Sequence, residues 1–363
     1  MAIDFDATRW ETIRSTYRQW WAGELERPLI PVRVRGRDPG RPMPGAPLLS
    51  QATCADFSIP PERIIDRIDY ELSTFHYLGD AFPCFNMDCF GPGVLAAFLG
   101  AELDNSTGRV WFHPPWRQPI EEIHFCFDPG NAWFRRLCAI YRAGMERWEG
   151  RVLMTMTDLG GNLDVLSTFR PGEELLMDLY DAPEEVQRLA GEEHAAWHQA
   201  YEALNAVLQP VNPGYSDWSQ IYSEKPGYIL QCDFSYMIGP EMFDAFVKPE
   251  LAATCRRLGR SFYHLDGKGQ LAHLDSLLRI PELGGVQWVP GNGAPDCGHW
   301  PEVYRKIAAA GKRMQVLGDL ETLDAVIGQV GTGRGMHLSG PLLWGAEGDG
   351  TAVRRKLARY GVE

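Results

Sequence analysis

Ser261-Phe-Tyr-His-Leu-Asp-Gly-Lys-Gly269 stops a short apolar run on an imidazole, a carboxylate and two glycines. In a strand alternate side chains share a face, so His264 and Asp266 point one way and Leu265 the other. Side by side at a strand end, these two groups could ligate a divalent metal or move a proton. They could equally hydrogen-bond each other or cap the loop, so the position of the segment in the chain decides the reading.

Other residues could join them. With His337 they would supply two imidazoles and one carboxylate, a set suited to zinc with an open position and equally to non-haem iron. Cys297 and His299 offer a thiolate and another imidazole, although a loop cysteine beside a surface histidine is the simpler reading. Without a metal, Asp233 and His264 could act as acid and base. Arg33, heading the alternating Arg33, Arg35 and Arg37, could hold an anion, or the three could edge a solvated strand. Asp88, Gln287 and Trp288 are further substrate-contact candidates at strand ends. Asp164 and Arg170 are read on a loop, reaching the pocket or pairing with each other. His273-Leu-Asp275 repeats the motif inside a helix, where i and i+2 diverge, and is structural. No G-x-S-x-G elbow supports a nucleophilic triad.

Eight apolar runs could position these groups: 30–34, 81–86, 152–157, 229–233, 261–265, 285–289, 313–317 and 335–339. The last six alternate with helical patterns, which implies parallel strands with right-handed crossovers. Eight such strands predict an α/β fold of the (β/α)8 TIM-barrel type, whose active site lies at the C-terminal strand ends. No G-x-G-x-x-G follows an early strand, so a dinucleotide fold lacks its signature. The reading is one barrel domain over 1–363, with an N-terminal helix within 1–28 and an irregular or hairpin-bearing insertion over 91–135. Trp10, Ile13, Tyr17, Trp20, Trp21 and Leu25 recur at helical spacing over 7–25, as core or as a subunit interface. A further helix is predicted near 61–78. Asp181-Ala-Pro-Glu184 reads as an N-cap opening a long helix.

A net charge of −13 argues against nucleic acid as the main partner. Eight scattered cysteines fit no disulfide framework or C-x-x-C zinc ribbon. Met1–Trp10 lacks a signal-peptide pattern, and no run approaches the ~18 apolar residues of a membrane span. The expectation is a cytoplasmic protein acting on a small molecule, with a homodimer allowed.

Gln231-Cys-Asp-Phe-Ser-Tyr-Met-Ile-Gly-Pro-Glu-Met-Phe243 with Phe246 and Pro249, the Gly160–Val186 stretch, and Tyr263-His-Leu-Asp-Gly267 carry a family resemblance. Together they cover roughly residues 150–360, and Glu26-Arg-Pro28 and Gly79-Asp80 match loosely. The chain resembles the uroporphyrinogen decarboxylase superfamily, in its corrinoid-dependent methyltransferase-like branch. That resemblance implies a barrel enzyme with zinc or another divalent metal, a small polar substrate and a corrinoid carried on a partner protein. Tyr263, heading the site segment, becomes a further substrate-contact candidate.

Two departures from the family pattern bear on activity. The arginine-rich segment of true decarboxylases is missing. Asp266 stands where the methyltransferases have cysteine, and the later cysteine position falls at His337–Ser339. A metal held this way would be bound by harder donors and be more Lewis acidic. Three readings follow: a metal-dependent methyltransferase, a metal-independent decarboxylase or lyase using Asp233 and His264, and a non-catalytic subunit docking through its tryptophan-rich helix.

Overall fold

Every one of the eight apolar runs contributes a strand. A computed structural model describes residues 3–339, 342–344 and 350–362. In chain order the strands are β1 (Pro31–Arg35), β2 (Phe75–Gly79), β3 (Cys84–Phe85), β4 (Glu102–Asp104), β5 (Trp111–His113) and β6 (Leu153–Met154). They continue with β7 (Gly227–Leu230), β8 (Arg260–Asp266), β9 (Gly285–Val289), β10 (Arg313–Leu317), β11 (Met336–Ser339) and β12 (Leu342–Trp344). β7 to β11 form one five-stranded sheet, all parallel, with neighbours consecutive in the chain. Helices lie between successive strands, so the class is α/β. β1 pairs in parallel with β12, β3 in parallel with β6, and a single parallel bridge from Leu29 to His337 ties the approach to β1 to β11. The insertion over 91–135 carries the small antiparallel hairpin of β4 and β5.

Local structure differs from expectation at three places. The helix predicted to 78 ends at Ser73, where the backbone N–H of Thr74 closes on Glu71 and Leu72. Phe75-His-Tyr-Leu-Gly79 then pairs antiparallel with all five residues of β1, a use that suits aromatics better than a further helical turn. The stretch read as a loop around Asp164 is instead a helix, Asn162–Phe169, followed by another, Glu174–Asp181. Asp181 therefore ends one helix rather than capping the next. The break falls on Ala182, with φ −140°, and Pro183 starts the helix to Leu208.

The two faces of the sheet feed different cores. Tyr263, Leu265, Val286, Trp288, Met314, Val316, Met336 and Leu338 belong to the large core that also takes in the surrounding helices. Leu29, Ile229 and Phe262 join a second cluster with the N-terminal helix, Ala7–Ala22. In that helix Tyr17 and Trp20 are fully buried, and the indole N–H of Trp20 donates to the Met336 carbonyl at 3.1 Å. The tryptophan stripe is consumed within the chain, which removes the docking face on which the non-catalytic reading rested.

Arg27 and Asp80, from the two short segments that match the family loosely, meet as a bidentate pair at 2.7 and 2.9 Å. Asp80 also accepts the Ile30 backbone N–H at 2.8 Å and so fixes the entry to β1. Among the described residues no helix is long and apolar enough to cross a membrane.

Candidate metal centre

His264 and Asp266 lie on β8, two residues apart and on one face, as alternation requires. The third group is Asp233, at the start of the 3-10 turn Asp233–Met237 that follows β7. Adjacent parallel strands bring these C-terminal ends together. One ligand atom from each of Asp233, His264 and Asp266 lies within 4.8 Å of the others. Two donors on one ion at about 2.1 Å each are at most ~4 Å apart, so small side-chain rotations would close the set. One imidazole and two carboxylates make a hard donor set fit for zinc, manganese or ferrous iron with positions left open.

Each member is held from behind. Asp164 accepts the backbone N–H groups of Asp233 at 2.8 Å and Phe234 at 2.7 Å, fixing the turn that presents Asp233. Gln270, fully buried, donates to the Asp233 carboxylate at 3.3 Å and accepts from the Tyr263 hydroxyl at 3.3 Å. The His264 Nδ1 hydrogen-bonds Gln287, and the Trp218 ring meets the imidazole edge-to-face at 5.0 Å. After Asp266 the chain turns at Gly267, with φ +79°. A Cβ on Gly269 would stand 2.6 Å from the exposed Tyr236 ring and would displace it.

The carboxylates crowd one another. Burial pushes the Asp233 pKa up, and the charge of Asp266 adds to that while His264 opposes it. Burial, then the charge of Asp233, likewise raises Asp164. Crowded carboxylates of this kind are relieved by a proton or a cation.

Beside Asp233 opens a cleft of about 800 Å³. Asp164, Gln231, Ser167 and Thr168 give it polar groups, and Phe112, from the hairpin of the insertion, and Met237 give it apolar walls. Asp88 lies on a short turn after β3 and is exposed, yet enough protein surrounds its carboxyl for desolvation to raise its pKa.

Four predicted site residues are buried away from the cleft. Trp288 is fully buried in the large core, packed at 5.2 Å against Trp300. Tyr263 is also fully buried, and its hydroxyl donates to Gln270, which in turn bonds Asp233. Gln287, 3% exposed, hydrogen-bonds His264 and does not line the cleft. His337 is 1% exposed, with Nε2 at 3.2 Å from the Tyr17 hydroxyl and Nδ1 at 3.2 Å from Gln315 Nε2. Burial lowers its pKa to about 3 and keeps it neutral. His264 and His337 are three strand spacings apart, roughly 14 Å along the sheet, too far to share an ion.

Arg33 lines a different cleft, of about 420 Å³, with His337, Ser339 and Gln220. Arg170 does not meet Asp164; it pairs with Asp178 and Glu174. Cys297 is buried and His299 hydrogen-bonds Asp296 at 2.8 Å. Gln270, Gln315 and Ser219 were not anticipated. The first lies only four residues past Asp266, and a glutamine inside the apolar run of β10 was a visible signal for the second.

No protein-family model and no curated protein matches the sequence. Among solved structures, a methyltransferase from Methanosarcina mazei superposes with a TM-score of 0.60 over 95% of this chain and 99% of its own, at 11% identity. The chain has the fold of that methyltransferase. At 11% identity the likeness is one of fold. Macrophomate synthase superposes over 62% of this chain and 71% of its own with a TM-score of only 0.24.

One pH effect belongs to the neighbourhood of this site. Asp158, 7% exposed, accepts the Gly160 N–H at 2.9 Å, and burial pushes its pKa up to about 7. A carboxyl raised in the folded state binds its proton more tightly than in the unfolded chain. Unfolding then releases a proton between pH ~4 and about 7, so stability falls as pH rises through that window. Its contribution is at most about 1.4 kcal/mol per pH unit. Asp158→Asn should therefore flatten the pH dependence of urea midpoints between pH 5 and 8 and gain most on wild type at pH 8. Parallel profiles would contradict the assignment.

Proposed function

We propose that this chain is a closed (β/α)8-barrel enzyme that binds a divalent metal, zinc in the first place, through Asp233, His264 and Asp266. Its reaction is methyl transfer from a small polar donor to a corrinoid carried by a partner protein. The convergence of one imidazole and two carboxylates at the C-terminal ends of parallel strands carries this reading. The barrel closure is supported by the Leu29–His337 bridge, and methyl transfer by the superfamily resemblance and the methyltransferase fold.

When bound, the metal would act as a Lewis acid toward an electron-rich atom of the substrate. Asp233 and Asp266 supply negative charge that offsets the ion's, and His264 adds a neutral nitrogen donor. Gln231, Ser167 and Thr168 offer hydrogen bonds to a polar substrate, while Phe112 and Met237 limit the water reaching it. Acid–base chemistry without a metal, in a decarboxylase or lyase, is the second reading, favoured by the raised pKa of Asp233 beside His264.

The test is a set of small methylated thioethers, amines and ethers incubated with zinc-loaded protein and cob(I)alamin. The methyl leaves its donor as a cation equivalent and joins the two-electron cobalt nucleophile, while the donor heteroatom keeps the bonding pair and takes a proton from water; the methylcob(III)alamin formed is followed by its absorbance. Formation that stops on chelation supports the proposal. Turnover of substrate in fully chelated protein would favour the second reading.

A further inference from the structure

One layer of side chains crosses the sheet beneath the candidate metal centre. His264 on β8 is the register partner of Gln287 on β9, Gln287 of Gln315 on β10, and Gln315 of His337 on β11. These four side chains are linked in that order. Gln287 Oε1 faces His264 Nδ1, Gln287 Nε2 lies 2.5 Å from Gln315 Oε1, and Gln315 Nε2 lies 3.2 Å from His337 Nδ1. Gln315 Nε2 also lies 2.8 Å from the backbone carbonyl of Ser219. Gln287 and Gln315 are 3% and 0% exposed, so water does not compete for them.

The direction of this chain follows from its end. An amide side chain can face its partners either way round, and an imidazole proton can sit on either nitrogen. A backbone carbonyl can only accept. The group of Gln315 facing Ser219 must therefore be its NH2, and the group facing Gln287 its oxygen. Gln287 must then present NH2 to Gln315 and oxygen to His264. An oxygen there requires a proton on His264 Nδ1, which leaves the Nε2 lone pair free. At the other end, the second hydrogen of the Gln315 amide points to His337 Nδ1, so His337 carries its proton on Nε2, next to the Tyr17 hydroxyl.

We propose that Gln287 and Gln315 are positioning residues that, anchored on the Ser219 carbonyl, fix His264 as the Nδ1–H tautomer and keep Nε2 available as the metal ligand. The inference rests on the metal reading for its purpose but not for its geometry. Ligating histidines ordinarily donate their second N–H to a carboxylate, carbonyl or water, and losing such a partner costs 10- to 100-fold in metal affinity. Here two neutral amides take that role. They set the tautomer without adding another negative charge to a centre that already holds two carboxylates.

The experiment is long-range proton–nitrogen NMR of metal-free protein labelled with 15N-histidine. The His264 signals are assigned by their loss in His264→Ala, and those of His337 by His337→Asn. Wild type should show two opposite single tautomers, His264 protonated on Nδ1 and His337 on Nε2. Gln287→Met removes the acceptor and should move His264 to a mixture of tautomers, with zinc affinity falling about 10- to 100-fold. Gln287→Glu restores an acceptor and should restore the single tautomer. Wild-type His264 protonated on Nε2, or unchanged in Gln287→Met, would overturn the proposal. A fixed Nδ1–H tautomer in protein that binds no zinc would overturn the metal reading and leave the relay standing.

Discussion

His264→Ala should lower zinc affinity by more than about 100-fold, beyond the cost of losing an outer-sphere partner. It should leave the metal-free fold intact. His264 is the only nitrogen donor of the three, and without it the ion would face two carboxylates and water, a set better suited to magnesium or calcium. The imidazole is half-buried at the end of β8, and the Tyr263 and Leu265 side chains on either side belong to the large core independently of it. Competition with a chromophoric chelator measures the affinity, and a urea midpoint in chelator checks the fold. Unchanged zinc affinity would remove His264 from the centre.

The second large effect is on stability and lies far from the chemistry. Asp80→Ala should destabilise the chain by about 3–5 kcal/mol, as breaking a buried ion pair by removing one partner does. The carboxylate is 4% exposed and Arg27 21%, so the guanidinium left behind is poorly hydrated. The Ile30 N–H, which now donates to Asp80, would also lose its acceptor at the entry to β1. A lowered urea midpoint at unchanged slope is the expected result. A shift under about 1 kcal/mol would place the pair among weak surface bridges.

The strands were legible because parallel strands buried on both faces read as short apolar runs, and glycines or acids closed them. The five-residue runs of β9 and β10 fall where the sequence places them, at 285–289 and 313–317. β2 was not legible, since Phe75-His-Tyr-Leu continues the helical spacing of the residues before it. Only pairing with β1, more than thirty residues earlier, makes it a strand. The Asp181 signal failed for the same reason. Capping residues describe one helix start, whereas Leu175 and Leu179 bury a preceding helix that claims Asp181 first.

At the site, strand-end position nominated Gln287 and Trp288 together, although neighbours in a strand face opposite ways. Alternation from His264 selects one face across β8 and β9, and Trp288 shares the other with Leu265. His337 was nominated by residue type. Its register with Gln315 shows the same layer, but the number of intervening strands sets the separation. Asp233 was legible only as an acid at a strand end, since its meeting with His264 depends on β7 and β8 being neighbours.

In the proposed centre Asp233, His264 and Asp266 together hold one divalent ion. Elemental analysis of the full chain, purified without chelator or metal-affinity resin, tests it most directly. Wild type should carry one equivalent of zinc or a similar divalent ion, and His264→Ala less than a tenth of that. Wild-type protein that stays metal-free after dialysis against micromolar zinc, or a metal content unchanged in His264→Ala, would contradict it.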